Sequence, residues 1–425
     1  MTDMSQFRTV GAWRAALGLL PVPLRERPDN RERYVLLNGT TGNFCLDFVG
    51  GFDRTSQCSA AWSCDVGHYI TCVEDSIIVN RWDKQGSEES YSRKSVIAQL
   101  HEFHRYLEKT SPDRSRSVVA HVLRIFRQIR AVVHEGEGGL RSLRILLHLL
   151  VSAATEQYRL VEGDLSVWGL TPEILDSSRD IPDATWLPLY NDLSGMGRYQ
   201  VIRPDFDLVL RHASGAVFQD AHLEVQLSPT YWLPGFERPG IVDATAIPSE
   251  TGIYFTPPAL ARTLAEEATR DIQNVGDRPL LLFDPACGSG ELLKECLRLL
   301  RLQQYPGRIR LLGWDKSAAS VDMARFVLAW EKRAWPADQV QVAVSQQDSL
   351  LAAHWPDLVD ILVMNPPFRS WTLMAHEEQE AVTKILGASN KPKWGIYLTQ
   401  VTPRCCIAVD GGLSAGSDRV RGPFR

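Results

Sequence analysis

Two short segments carry residue types able to do chemistry together. The first is Asp284-Pro-Ala-Cys-Gly-Ser-Gly290. Gly288 and Gly290 let the backbone turn tightly and approach a ligand with no side chain in the way. The second is Asn365-Pro-Pro-Phe368. The side-chain oxygen of Asn365 and the carbonyl of Pro366 are two acceptors on a loop that paired prolines stiffen. Aimed at the two N–H bonds of an exocyclic amine, they favour a pyramidal nitrogen whose lone pair faces an electrophile. Phe368 offers an aromatic face on which a planar ring can stack.

The elements around these segments are those of an open α/β sheet. Leu280–Phe283 is a short, fully apolar run, as a buried parallel strand requires, and a helix follows from Glu291 to Leu302. A second strand, Ile309–Gly313, ends in Trp314-Asp315. An acid there can accept from both hydroxyls of a ribose, or it can cap the helix beginning near Ser317. A third strand, Val340–Val344, leads to Gln347-Asp348-Ser349-Leu350, and a fourth, Asp360–Met364, runs into Asn365. Strands alternating with helices imply a parallel sheet covered on both faces. Upstream, Gly252-Ile-Tyr-Phe-Thr-Pro-Pro258 precedes an amphipathic helix, with prolines suited to its first turn.

DPACGSG resembles the first motif of the amino-methyltransferases acting on DNA, and NPPF resembles the catalytic tetrapeptide of the adenine-N6 methyltransferases. The resemblance implies a Rossmann-like S-adenosylmethionine-dependent fold and a site-specific methyl transfer to the N6 amine of adenine. The catalytic residues would be Asn365, Pro366, Pro367 and Phe368. Asp284, Ala286, Gly288, Gly290 and Asp315 would hold the cofactor. Asp348 would meet the cofactor's adenine amine, with Leu350 packed on the ring. Phe255 and Thr256 of GIYFTPP would close over its methionine end. The partner implied is double-stranded DNA with the target adenine flipped out, in a restriction–modification or phage-defence setting. The motif order matches the subclass with the cofactor region first and target recognition last.

The resemblance covers about Pro248 to Lys391. Beyond it the apolar pattern fades, and LSAGSDRVRGPFR contains no strand-like run. The expectation is a catalytic sheet incomplete at its C-terminus, served by a complementary C-terminal or specificity subunit. Three competing readings stay open. A protein-glutamine methyltransferase uses a similar loop, although usually with Tyr where this chain has Phe368. A fused endonuclease–methyltransferase would use Asp205, Glu224 and Gln226, if the two carboxylates lie on adjacent strands and bind Mg²⁺. An inactive remnant or DNA-recognition scaffold is the third.

The remaining chain is less specific. The reading divides it into an irregular, β-rich region (1–93), a helical segment (94–165), a mixed linker region (166–247) and the catalytic domain (248–425). YVLL and SIIV read as strands. Val96, Leu100, Phe103 and Leu107 form one helical stripe; Val119, Val122, Phe126, Ile129 and Val133 a second; Leu140, Leu143, Leu147 and Leu150 a third. Opposite the second, Arg124, Arg127 and Arg130 read as a solvated face. FDLVLRH and AHLEVQL alternate as in a β-hairpin turning at Ser214 and Gly215. Cys58, Cys64 and Cys72 with His68 lack the spacing of a zinc knuckle and read as free thiols. A net charge of −5 gives no global attraction to nucleic acid, so DNA contact requires a local basic patch. With neither an apolar run of membrane-spanning length nor a signal peptide at MTDMSQFRTVGAW, the expected location is the cytoplasm.

Overall fold

The computed structural model describes residues 6–25, 32–38, 41–84, 88–133, 138–195, 202–226, 256–349, 352, 354–365, 376, 379–380 and 383. Helix α1 (Val10–Leu17) precedes β1 (Leu20–Pro23), β2 (Arg33–Asn38), β3 (Thr41–Asp47), α2 (Arg54–Ser63), β4 (His68–Cys72), β5 (Ser76–Arg81) and β6 (Glu89–Ser92). These strands form one sheet in chain order, antiparallel except between β3 and β4. A parallel step needs a crossover, and α2 supplies it. The YVLL and SIIV runs lie in β2 and β5.

Cys58, Cys64, Cys72 and His68 are buried. Burial pushes all three thiols up and His68 down to about 4. His68 Nε2 lies 3.2 Å from Thr110 Oγ1. Among the described residues, no group of three His, Cys, Asp or Glu side chains is placed to hold a metal.

The helical part follows: α3 (Arg93–Ala98), α4 (Leu100–Lys109), α5 (Val118–Val132), α6 (Gly138–Ala154), α7 (Pro172–Arg179) and α8 (Asp183–Leu193). Phe103, Leu107, Val122, Phe126, Ile129, Leu143, Leu147 and Leu150 are all buried, so the stripes are core. The arginine face opposite the second stripe is not simply solvated. Arg124 pairs with Asp192 at 2.7 Å, Arg127 pairs with Glu224 at 2.6 Å, and Arg130 donates to the Glu224 carbonyl.

The expected β-hairpin is a helix. Helix α9 (Phe206–Leu208) passes through a π-helical turn (Val209–Ala213) into α10 (Ser214–Gln226). Val209, Leu210, Ala213, Val217, Phe218 and Ala221 are buried at helical intervals, and this burial overrides the local alternation. Gly215 is no turn residue: a Cβ there would stand 3.3 Å from the Glu291 carboxylate. Asp205 caps the helix by accepting from Leu208 N and pairs with Arg25, while Glu224 pairs with Arg127. The endonuclease reading therefore loses the adjacent strands on which it stood.

The C-terminal part contains α11 (Pro258–Thr269), β7 (Leu280–Asp284), α12 (Glu291–Leu302), β8 (Ile309–Asp315), α13 (Ala318–Lys332), β9 (Val340–Gln346) and β10 (Ile361–Leu362). Its sheet is parallel throughout, in the order β10-β7-β8-β9. Counting from β7, that order is 4-1-2-3, the Rossmann arrangement with its reversal between the first and fourth strands. Helices α11 to α13 pack on the face bearing Leu280, Leu282, Ile309, Leu311, Val340 and Val344.

Helices of this sheet also pack on the rest of the chain. The outer side of α13 (Met323, Phe326, Val327, Trp330) enters the same core as α5, α6 and α10. Helix α12 is buried from Glu291 to Leu300, its charged side included, because the π turn and the start of α10 lie on it. No helix among the described residues is long and apolar enough to cross a membrane.

Helix α12 ends with Gln304 in the left-handed region, at φ 55°. Tyr305 N donates to Leu300 O at 2.9 Å and Gln304 N to Arg301 O at 3.0 Å, closing the helix in the way that favours glycine. Gln304→Gly is expected to stabilise the fold by about 0.5–1 kcal/mol by relieving the Cβ clash. Urea unfolding checks this, and a lower midpoint would count against it.

Candidate functional site

The reversal of strand order decides where a ligand binds. In open parallel sheets the crevice opens at the carboxyl ends of the strands flanking that point, here β7 and β10. Leu282 pairs with Ile361 and Phe283 with Leu362, and Val363 N donates to Phe283 O at 3.0 Å. Asp284, which ends β7, and Asn365, two residues beyond Val363, therefore leave the sheet side by side. The glycine-rich turn and Asn365, separated by some eighty positions in sequence, lie at the same edge of the sheet.

The turn after β7 is fixed by its own backbone. Asp284 is 1% exposed, and its Oδ1 accepts from Ala286 N at 3.0 Å. Gly290 N donates to Cys287 O at 2.7 Å, and Cys287 N donates to Trp314 O at 2.8 Å. Gly288 and Gly290 have φ of 52° and 81°, so both need the freedom of glycine. Among the described residues a Cβ on Gly288 would meet nothing within 4 Å, so they leave the space over the turn open to a ligand. A Cβ on Gly290 would reach Ala324 at 3.4 Å, so this glycine lets α12 start close against α13. Gly313, a position that sequence reasoning missed, makes room for Cys287, whose Sγ would lie 3.0 Å from a Cβ there.

Asp315 ties the second strand end to this turn. Its Oδ2 accepts from Gly288 N at 3.0 Å and its Oδ1 from Ser317 N at 2.8 Å. The cap of α13 is Ser317 itself, which accepts from Ser320 N. Asp315 O accepts from Gln347 N at 2.9 Å, which draws the end of β9, and with it Asp348, toward the same edge. Burial pushes Asp284 up to about 8; the bond from Ala286 opposes this shift, and the nearby charge of Asp315 adds to it. Burial also raises Asp315, against the bonds from Ser317 and Gly288. Each oxygen of a carboxylate has two acceptor positions, so Asp315 can bind the turn and still accept from a ligand hydroxyl.

Thr256 is buried, just ahead of Pro257 and Pro258 at the start of α11. Asp284, Ala286, Gly288, Gly290, Asp315 and Asp348 thus fall on three neighbouring strand ends, and Asn365 on the fourth. Phe255, Leu350, Pro366, Pro367 and Phe368 lie outside the described residues. The acids and the open turn suit a ligand with hydroxyls and positive charge, while the N-terminus of α12 suits an anionic group such as a carboxylate.

Three solved structures are similar over large parts of the chain. A protein described as a class I S-adenosylmethionine-dependent methyltransferase, from Listeria monocytogenes, aligns at 14% identity over 66% of this chain and 68% of its own, with a TM-score of 0.34. DrdV in its complex with DNA aligns at 11% identity over 92% of this chain and 45% of its own, with a TM-score of 0.42. The type IIG restriction endonuclease BpuSI aligns at 12% identity over 94% of this chain and 48% of its own, with a TM-score of 0.38. This chain thus spans less than half the length of the latter two. The family model described as N-6 DNA Methylase matches residues 243–394, the segment that holds the glycine turn, the strand-end acids and Asn-Pro-Pro-Phe, so this segment is similar to the N-6 DNA methylases.

Proposed function

We propose that this chain transfers a methyl group from S-adenosylmethionine to the N6 amine of adenine in double-stranded DNA, the target base being flipped out of the helix. The observation that carries the reading is the side-by-side exit of Asp284 and Asn365 from β7 and β10. It brings an acid-lined turn beside Asn365, the first of the two acceptors that this reading needs for an amine.

S-adenosylmethionine, when bound, supplies an electrophilic methyl group, and the chain does the rest by placement. Asp284 faces the cationic methionine end, Asp315 the ribose hydroxyls and Asp348 the adenine amine, with Leu350 on the ring. Phe255 and Thr256 close over the methionine end. Asn365 Oδ1 and the Pro366 carbonyl accept from the two N–H bonds of the target amine, and Phe368 stacks on the extruded base. No general base with a tuned pKa is required before transfer. Target recognition falls to a specificity subunit or a region outside the described residues, as in restriction–modification.

Calorimetric titration with S-adenosylmethionine, with Asp315→Ala as control, tests the cofactor half. Methylation of adenine-containing duplex tests the other half. Heat of binding lost in the control supports the reading, whereas a folded chain that gives no heat with the cofactor refutes it.

The buried Asp284 also predicts a pH dependence. Its carboxyl is raised to about 8, so below that pH the folded chain holds it protonated and neutral. A cationic ligand needs the ionised form, so protonation competes with binding. Affinity is expected to rise by about tenfold per pH unit between pH 6 and 7.5, below the range where an α-amino group itself titrates. Asp284→Asn should flatten that slope. In the unliganded fold the sign is opposite: an acid with a raised folded pKa removes stability as pH climbs from about 4 to about 8. A parent slope as flat as the variant's would remove Asp284 from the cation's contacts.

A further inference from the structure

Three aromatic rings meet on the sheet face opposite α11 to α13. Phe283 is fully buried, and its centroid lies 4.8 Å from that of Trp314 and 5.4 Å from that of Trp355. The two indoles are 6.2 Å apart, and all three pairs are edge-on, at 77°, 90° and 82°. This is the preferred geometry for aromatic pairs. Phe283 and Trp314 come from β7 and β8, whereas Trp355 comes from the connection between β9 and β10. Trp355 Nε1 also donates to Ser349 O at 3.1 Å.

Sequence neighbours give the cluster its meaning. Phe283 immediately precedes Asp284, Trp314 immediately precedes Asp315, and Ser349 immediately follows Asp348. One indole thus touches the backbone or the ring next to each of the three acids. The far end of the same connection is anchored as well. Asp360 receives Arg278 through both oxygens at 2.6 and 2.7 Å, accepts from Leu281 N at 2.8 Å and donates its own N to Leu281 O at 3.0 Å. Between the two anchors Leu358 turns the chain at a left-handed φ of 54°.

We propose that Trp355 is a positioning residue for the methyl donor: packed on Phe283 and Trp314 and bonded to Ser349, it holds the three strand ends so that Asp284, Asp315 and Asp348 keep one mutual spacing. The inference rests on the assignment of those acids to the cofactor. The indole itself touches neither cofactor nor adenine. Its loss is therefore felt as weaker cofactor binding, with the chemical step little changed.

Amide hydrogen exchange across Ser345–Ser349 without cofactor, and calorimetry with S-adenosylmethionine, test the proposal on the full chain carrying Trp355→Ala or Trp355→Phe. Trp355→Ala is expected to speed exchange across that segment and to weaken cofactor binding by about tenfold or more, since small misplacements cost that much. Trp355→Phe keeps the ring contact without the bond to Ser349 and should recover most of the affinity. It also stands in if the alanine variant does not fold. Parent-like exchange and affinity in a folded Trp355→Ala chain would overturn the proposal. If the parent gives no heat with the cofactor, the methyl-donor reading fails and takes the proposed role of Trp355 with it. Exchange alone then shows whether the brace exists.

Discussion

Asn365→Ala is expected to slow methyl transfer to adenine by on the order of 10²- to 10³-fold, while S-adenosylmethionine binds within about a factor of three of the parent. The amine of adenine is a poor nucleophile because its lone pair is delocalised into the ring. Acceptors placed on both N–H bonds favour the pyramidal nitrogen that can attack, so they act most strongly in the transition state. β10 pairs with β7 through Ile361 and Leu362, and this fixes the start of the loop. Removing the Asn365 amide therefore removes one acceptor without moving the strand. Asn365→Asp keeps an acceptor oxygen and should retain more activity than the alanine variant. Single-turnover methylation of a duplex separates chemistry from product release, and calorimetry reports the cofactor. An alanine variant that methylates at the parent rate, or that loses cofactor binding in proportion to its activity, would remove Asn365 from the reacting half.

The parallel sheet was legible because its signals are local. Runs such as Leu280–Phe283 are apolar on both faces, and the residues that end them have side chains with obvious chemistry. Strand order is not local, yet the common order for such sheets already places Asp284 beside Asn365. The rest depended on tertiary contacts. FDLVLRH and AHLEVQL satisfy a strand period, but Val217, Phe218 and Ala221 bury only if the segment is helical. Ser214 and Gly215 look like a turn until Lys294 and Glu291 are seen against them. Trp355 has no pattern of its own: its ring partners come from two strands that precede it by forty residues or more. Nothing local marks the charged side of α12 as buried, since charge on an amphipathic helix normally faces water.

That buried side carries the largest expected effect on stability: Arg298→Met should destabilise the chain by about 3–5 kcal/mol. Arg298 is 1% exposed and donates to Glu295 at 2.5 Å, to Glu331 of α13, and to the carbonyl of Arg211 in the π turn at 2.8 Å. Arg262 of α11 reaches Glu295 at 3.3 Å, and Lys294 binds Glu291 at 2.7 Å and Ser214 at 3.0 Å. Methionine fills a similar volume, so the cost comes from two carboxylates left buried without their shared cation. Burial alone would raise Glu295 and Glu331, but Arg298 and the other cations more than offset it and hold both below the usual range. Acids with depressed folded values stabilise above about pH 4.5 and lose that contribution as pH falls below it. The difference between parent and Arg298→Met should accordingly be full at pH 7 and shrink toward pH 3. Adding Glu295→Gln and Glu331→Gln to Arg298→Met should recover part of the loss, because neutral amides are less costly to bury than charges. Urea unfolding of the single and triple variants at pH 7 and pH 4 decides the matter. A single variant within about 1 kcal/mol of the parent would show that water or other groups compensate the carboxylates. It would also show that the π turn holds α12 by apolar packing rather than through this ion cluster.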